Sequence, residues 1–416
     1  MLGARFRTPP APAAANGARR VGSSREGALD GLRGLAIVLV VLSHGWIIWA
    51  QSDLADKPAL LHLFQSGNLA VSVFFVVAGF LLVRSLLNDR GPRLSPDGTV
   101  VIGPAAHPWR AVANRWVRLS AQVYPLALVI LLVAWLDPTD IQPLDQTRDS
   151  LFHIVTYTWN TYLQRAALMS RPDLGHLWYT SVYLQATIVL VIIVRVLGRR
   201  TWALTLALVA TLALVTAWRG HVLAVEDISF ALLRTTTRVD GMFWGALLAV
   251  AWPWVQRFRE AGSSLLSTGL IGLTALVLTT GYSPDYLGWI AVATKLATVS
   301  IIAGSLMVPR MGLSRALGWR PLATLGRYSL ALYIWHFPVF WAVTRHSLNW
   351  PIWLRIAVPV VITAILVVTT TRWIENPVAR LLASLLGRWP WRRRVSLGRS
   401  DVDAPPNPTP AEPAHR

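Results

Sequence analysis

A histidine and an arginine in the first apolar stretch have the spacing of a functional pair. Arg33 and His44 are eleven residues apart in the sequence LDGLRGLAIVLVVLSH. At about 100° per residue, eleven residues bring His44 to within roughly 20° of the helix face that carries Arg33. The two residues are then about 16 Å apart along the helix axis. Ionisable residues inside membrane spans are usually functional, and an imidazole suits general-base catalysis. The alternative is a histidine whose hydrogen bonds serve only the packing of a helix bundle.

A second pair of basic residues has the spacing of a phosphate site. Arg115 and Arg118 lie one helical turn apart in NRWVRLSAQVYP, so both guanidinium groups project from one helix face. Basic residues that merely flank a membrane span would give the same pattern. Asp30 precedes Arg33 by one turn and is expected to cap the start of that helix.

Two groups of polar residues stand at the ends of other apolar stretches, where they would meet a ligand arriving from outside. His176 and Trp178 open one stretch, and Arg238 and Asp240 open another in RVDGMFWG. A neighbouring Arg and Asp can also neutralise each other, so a structural ion pair is the simpler interpretation of the second group. Lys295 lies within an apolar stretch and has no assigned partner.

The last two apolar stretches add a further histidine and an acidic residue. Ser329 and His336 are seven residues apart in LGRYSLALYIWHFPV and therefore share a helix face. His336 is either a second catalytic or substrate-positioning group or a hydrogen-bond donor in helix packing. Glu375 and Arg380 follow in WIENPVAR, where a cytoplasmic ion pair is the alternative to a functional role.

The composition indicates the kind of scaffold that positions these residues. Of 416 residues, 54% are hydrophobic and 14% charged, and the mean hydropathy is +0.47. Ordinary soluble domains carry about a quarter charged residues, so the sequence predicts an all-α, polytopic membrane bundle of about ten helices. The predicted spans are 32–51, 68–87, 120–136, 176–197, 202–218, 237–256, 264–281, 286–307, 328–344 and 352–371.

The distribution of charge predicts the orientation of the bundle. With both termini in the cytoplasm, 29 of the 39 Lys and Arg fall at inner faces and 9 at outer ones. This excess follows the positive-inside rule and explains the net charge of +19 without nucleic-acid binding. We therefore expect a multi-pass protein of the cytoplasmic (inner) membrane with a membrane-embedded domain over 27–385. The segments 1–26 and 386–416 are expected to be basic cytoplasmic tails, the second rich in proline, with disorder over 1–26 and 400–416.

Other sequence features exclude several kinds of site. The chain contains no cysteine, which rules out disulfides and thiolate chemistry. No metal-ligand spacing, Walker loop or Rossmann glycine pattern is present, so no metal site is expected. Gly79 and Gly245 within spans indicate close helix packing. Pro96-Asp97-Gly98, in the inner loop 88–119, predicts a small hairpin.

In order and spacing, these motifs resemble the acyltransferase-3 family of integral-membrane O-acyltransferases over residues 25–382. Besides the segments quoted above, FFVVAGFLL and HLWYTSVYLQ match family motifs. Ala78 replaces a common serine, and Tyr183 and Leu184 stand where the family usually has a carboxylate. We expect no esterase-like domain after Leu386.

The resemblance implies transfer of an acyl group from acyl-CoA, a co-substrate, to a hydroxyl of an envelope glycan, glycolipid or secreted small molecule, with no permanently bound cofactor. It implies catalytic roles for His44 and His336 and donor binding by Arg33, Arg115 and Arg118. The acceptor would be bound by His176, Trp178, Arg238 and Asp240. The remaining motif residues are Asp30, Ser329, Glu375 and Arg380.

Two functions of other classes remain open from the sequence. A transporter or flippase for a lipid-linked or small polar substrate also uses intramembrane His, Lys and Arg. A membrane scaffold without catalysis is the third alternative. Inverted repeats and matching Gly- or Pro-broken spans would favour transport, and the sequence shows neither clearly.

Overall fold

A computed structural model gives the architecture of the protein and describes residues 14–49, 51–88, 93–94, 100–101, 108–281 and 284–387. The predicted all-α fold is confirmed over these ranges. The helices of the first half are α1 (Ala14–Ser43), α2 (Pro58–Gln65), α3 (Gly67–Asn88), α4 (Pro108–Leu136), α5 (Leu144–Val155), α6 (Trp159–Ala166), α7 (Trp178–Leu197), α8 (Thr201–Val225) and α9 (Ile228–Leu233).

The second half continues the bundle with nine further α-helices in the described ranges. They are α10 (Thr235–Arg238), α11 (Asp240–Val255), α12 (Gly262–Thr279), α13 (Trp289–Met307), α14 (Gly312–Leu317), α15 (Arg320–Arg327), α16 (Ser329–His346), α17 (Ile352–Thr370) and α18 (Asn376–Gly387). Short 3₁₀ helices occupy Gly45–Ile47, Gln51–Leu54, Ala167–Met169, Pro172–Leu177, Arg259–Ala261 and Pro284–Leu287. A π-helical turn, Thr371–Glu375, joins α17 to α18.

Eight helical segments of the described chain are long and apolar enough to cross a membrane. They are Gly27–Ile47, Gly67–Leu87, Trp109–Leu136, Pro172–Leu197, Thr201–Val225, Arg259–Thr279, Asp285–Met307 and Ile352–Leu385. The other two predicted spans, 237–256 and 328–344, form α11 and α16. Helix α11 has only 16 residues, fewer than the roughly 20 that a span needs. Helix α16 carries His336, Arg345 and His346 among its 18 residues.

The first helix begins earlier than its apolar sequence suggests. Helix α1 starts at Ala14, inside the segment expected to be a disordered tail. The prediction that Asp30 caps a helix start is wrong, because Asp30 lies well inside α1. Residues 1–13, and the C-terminal tail from 388 onward, lie outside the described residues.

Helices α3 and α11 cross at a point where two glycines face each other. A Cβ atom on Gly79 would overlap the backbone carbonyl of Met242, and one on Gly245 would overlap that of Val76. Only hydrogen fits between the two backbones, so the predicted role of both glycines in close packing is confirmed.

The inner loop contains the predicted strand pairing. Arg93–Leu94 (β1) pairs antiparallel with Val100–Val101 (β2), with Arg93 opposite Val101. The turn Pro96-Asp97-Gly98 lies outside the described residues.

A buried ion-pair network fixes the segments around the start of α7. Arg171 is fully buried and donates to Asp140 at 2.9 Å and to Asp173 at 2.7 Å. Its third partner is the hydroxyl of Thr147 at 3.0 Å, and Arg345 of α16 binds the other oxygen of Asp140 at 3.0 Å. The network links α5, α16 and the loop after α4 to the 3₁₀ helix Pro172–Leu177, which carries His176.

Candidate active site

Three histidines from separate elements meet inside the bundle. His44 directly follows α1, His176 lies in the 3₁₀ helix before α7, and His336 lies in the middle of α16. The ring centroid of His44 is 5.0 Å from that of His336 and 6.0 Å from that of His176. His176 and His336 are 5.4 Å apart, and the ring of Phe337 packs against both His44 and His176. We call these three residues the histidine cluster.

The hydrogen bonds of the cluster determine which ring nitrogens carry protons. His336 Nδ1 lies 2.8 Å from the carbonyl oxygen of Leu332, so it must be a donor and Nε2 keeps its lone pair. His44 Nδ1 is 3.0 Å from that Nε2 and 3.0 Å from the carbonyl oxygen of Val40. Both neighbours can only accept, so the proton of neutral His44 lies on Nδ1. His44 Nε2 therefore has a free lone pair, as a general base requires.

His176 occupies the cluster with the opposite tautomer. Its Nε2–H donates to the carbonyl oxygen of Ile334 at 3.3 Å, while its own backbone carbonyl accepts from the phenol of Tyr333. Its Nδ1 is buried and has no hydrogen-bond partner among the described residues. Beside it, a Cβ on Gly175 would meet nothing within 4 Å. The residue before His176 therefore has room for a larger side chain, while the His176 ring itself is buried.

The histidine cluster is not arranged as a metal site. Within the described ranges, no group of three or more His, Asp or Glu side chains has suitable geometry to hold a metal ion. The nitrogens of His44 and His336 point at each other as donor and acceptor, which leaves no common point for a cation between them.

The predicted donor-binding residues surround one cavity of about 270 Å³. Its lining includes residues from α1, α4, α7 and α16, among them Arg33, Arg115, Arg118, Tyr179, Ser329 and Tyr333. Arg33 donates to the hydroxyl of Ser329 at 2.9 Å and contacts Asp30 at 3.5 Å, which holds its side chain at the cavity. The structure thus brings Arg33, Arg115 and Arg118 together at one cavity, and their role in donor binding stays a prediction.

The cavity and the histidine cluster share a wall. The ring of Tyr333 lines the cavity and lies 5.3 Å from His176 and 6.1 Å from His336 between ring centroids. Tyr179 packs between Tyr333 at 5.1 Å and Tyr183 at 5.8 Å. Tyr183, which stands in place of the family's usual carboxylate, therefore contributes an aromatic surface to the cavity.

Arg118 has a partner that the sequence did not indicate. Its guanidinium binds the carboxylate of Glu375 at 2.9 Å, and Gln122 donates to the other oxygen of Glu375 at 2.9 Å. Glu375 lies in the π-helical turn, a type of distortion that is frequent at functional sites. Arg380 instead donates to the carbonyl oxygen of Asn376, so the ion pair suggested for Glu375 and Arg380 is not present.

Arg238 and Asp240 do not form the ion pair that their spacing suggests. Asp240 accepts from Arg219 at 2.7 Å and from Lys295 at 2.5 Å. Arg238 instead lies over the ring of Trp178, with its central carbon 5.3 Å from the ring centroid. The partners of Asp240 come from α8 and α13, so no local spacing could have identified Arg219 or assigned a partner to Lys295.

Comparisons with known proteins agree with the resemblance inferred from the motifs. Residues 26–373 match the acyltransferase-3 family model, described as an acyltransferase domain. A Bacillus subtilis protein named as a candidate peptidoglycan O-acetyltransferase, YrhL, is 25% identical over 84% of this chain and 54% of its own length. The O-acetyltransferase OatA of Staphylococcus aureus is 22% identical over 85% of this chain and 57% of its own.

A third relative has the same kind of name. The peptidoglycan O-acetyltransferase OatA of Listeria monocytogenes is 25% identical over 85% of this chain and 55% of its own length. This chain thus aligns with little more than half of each of these relatives. No solved structure matches it significantly.

Proposed function

The chain belongs to the acyltransferase-3 family, and from that premise we propose that it transfers an acetyl group from acetyl-CoA to a sugar hydroxyl of peptidoglycan. One observation carries the proposal. An arginine-lined cavity, able to bind an anionic donor, shares the wall formed by Tyr333 with a histidine cluster that contains a free base. The acceptor and the acyl group are taken from the names of the relatives.

The donor is proposed to bind from the cytoplasmic side. Arg33, Arg115 and Arg118 would hold its phosphate groups, because guanidinium groups form paired, charge-assisted hydrogen bonds with phosphate. Arg118 is half exposed and already bound to Glu375, so it would keep one partner while it binds the donor. The extended pantetheine arm is comparable in length to the rise of about 16 Å between Arg33 and His44. The thioester would thus reach the histidines while the nucleotide stays at the arginines.

The reaction is proposed as a direct transfer with His44 as general base. His44 Nε2 removes the proton of the acceptor hydroxyl as its oxygen attacks the thioester carbon. The tetrahedral intermediate then collapses, the carbon–sulfur bond breaks, and His44 returns the proton to the thiolate of CoA. His336 stabilises the transient imidazolium, because its Nε2 accepts the hydrogen bond from His44 Nδ1 at 3.0 Å. The acceptor would enter from the outer side, past His176 and Trp178.

The test is an assay of the purified protein in detergent. With labelled acetyl-CoA and a soluble peptidoglycan fragment, we expect release of free CoA and an acetylated fragment detectable by mass spectrometry. His44→Ala should reduce the rate by at least about 100-fold, the contribution of a general base. His221→Ala is the matched control, because His221 is exposed on α8, away from the cluster, and should behave as wild type.

The assay also separates the proposal from transport. Full activity of His44→Ala would contradict the role of this histidine. The absence of CoA release from wild-type protein, together with passage of the lipid-linked substrate across vesicle membranes, would favour the transporter alternative.

A further inference from the structure

Three cations and one carboxylate lie together in the core beside α7. Asp240 is fully buried, and Arg219, Arg238 and Lys295 are each 4% exposed or less. Arg219 and Lys295 both bind the same oxygen of Asp240. Among the described residues, one negative charge therefore faces three positive charges. Burying charge without compensation is costly, so this excess favours the binding of an anion that the described residues do not supply.

Arg238 is the cation in this cluster that has no carboxylate partner among the residues that the structure describes. Its Nε and Nη2 are buried, and neither has a hydrogen-bond partner in the described part of the chain. These two N–H groups lie on the same edge of the guanidinium plane and point in parallel. That edge matches the two oxygens of a carboxylate or phosphate, which is the geometry of the strong bidentate pair. The face of the guanidinium is occupied by Trp178.

The neighbourhood of Arg238 connects it with the histidine cluster. Trp178, which stacks on Arg238, lies two residues after His176. Trp178 also packs against Tyr179 at 6.4 Å between ring centroids, and Tyr179 packs against Tyr333, whose ring contacts His176. A group bound by Arg238 would therefore be part of a molecule that extends to the histidines.

We propose that the Nε and Nη2 edge of Arg238 binds an anionic group of the acceptor and so selects acidic acceptors over neutral ones. This inference rests on the proposed function and adds the substrate class. The anionic group is a carboxylate or a phosphate, since both present two oxygens to the guanidinium edge. Asp240 assists by neutralising part of the charge of Arg219 and Lys295, which leaves Arg238 as the cation that the acceptor meets.

The experiment compares three acceptors that share one saccharide. The first acceptor is a soluble peptidoglycan fragment with free carboxylates. The second is the same fragment with its carboxylates converted to carboxamides. The third is the carboxamide fragment with a phosphate on its terminal sugar. For wild-type protein we expect kcat/KM to fall about 10-fold or more from the first to the second, the size of a lost charge-assisted hydrogen bond. Recovery with the third acceptor would show that the site accepts either anion, and no recovery would restrict it to the carboxylate.

Substitution of Arg238 should remove this discrimination. In Arg238→Gln the acidic and neutral acceptors should be transferred with nearly equal kcat/KM, and Arg238→Lys should keep part of the difference, because lysine supplies charge without the bidentate edge. Arg234→Gln is the matched control. Arg234 is paired with Glu226 and partly exposed, so its loss should leave the preference unchanged.

Two results would overturn the inference. The first is equal kcat/KM for all three acceptors with wild-type protein, a comparison that does not depend on whether a variant folds. The second is an unchanged preference in Arg238→Gln. In both cases transfer that still depends on His44 leaves the proposed function intact. Failure of wild-type protein to transfer acetyl to any acceptor would instead refute the function itself.

Discussion

The hydrogen bond between His336 and His44 gives the two histidines different roles. His336 Nε2 accepts from His44 Nδ1, and its own Nδ1 is occupied by Leu332. In the proposed reaction His336 would therefore position and support the base, and it has no free nitrogen for the acceptor. The sequence marked both residues as catalytic, but their division of labour depends on contacts between α1 and α16 that no local pattern contains.

Substitution of His336 tests this positioning role. His336→Ala should lower kcat about 10-fold to 100-fold, because a hydrogen bond to a charged group contributes about 1.5–3 kcal/mol. The KM for acetyl-CoA should stay unchanged. His336→Gln should recover part of kcat, since its side-chain oxygen can accept from His44 Nδ1. Equal loss in both variants, or a loss confined to KM, would contradict the assignment.

Substitution of Arg33 tests the donor cavity. Arg33→Ala should raise the KM for acetyl-CoA about 10-fold with little change in kcat, because a phosphate contact far from the reacting carbon contributes mainly uniform binding. The same variant should show no defect with S-acetylpantetheine, which lacks the nucleotide. Arg327→Ala, an exposed arginine of α15, is the control. An equal defect with both donors would exclude a phosphate contact.

At the scale of helices, the crossing of α3 and α11 brings two parts of the site together. Helix α3 contributes Phe74 and Ala78 to the cavity, and α11 begins at Asp240. The sequence predicted the glycines at this crossing because small residues permit close approach. It could not predict the partners of Asp240 or of Glu375, which are set by how distant helices pack.

A methyl group at this crossing should destabilise the protein. Gly79→Ala forces the backbones of α3 and α11 apart, and overpacking of this kind costs about 1–3 kcal/mol. Gly220→Ala is the control, because its Cβ would meet nothing within 4 Å and alanine favours helix by about 0.5–1 kcal/mol. An SDS titration in detergent micelles measures both free energies of unfolding. Equal stability of the two variants would contradict close packing at Gly79.

At the scale of the whole molecule, the proposed reaction requires that donor and acceptor sites open on opposite sides of the membrane. Hydropathy identified the helical segments that are long and apolar enough to span a bilayer, although two of the ten predicted spans, 237–256 and 328–344, are not among them. The exceptions are α11, which has only 16 residues, and α16, which carries His336, Arg345 and His346. The sequence pattern also did not indicate the 3₁₀ helix before α7, which positions His176.

The absence of cysteine allows a direct test of this orientation. The variants are Leu168→Cys, at an exposed residue that the predicted topology places on the outer side, and Leu313→Cys, at an exposed residue of α14. A membrane-impermeant maleimide should label the first in intact cells and the second only after permeabilisation. Labelling of Leu313→Cys in intact cells would reverse the proposed sides of donor and acceptor.

The central claim is that the arginine-lined cavity and the histidine cluster form one active site. A structure of the protein with an acetyl-CoA analogue, in which a methylene replaces the thioester sulfur, tests it most directly. The account predicts phosphate groups in contact with Arg33 and Arg115, and the acetyl carbonyl beside Tyr333, with room for one hydroxyl between it and His44 Nε2. Phosphates bound elsewhere, or an acetyl group separated from His44 by an intact wall, would contradict it.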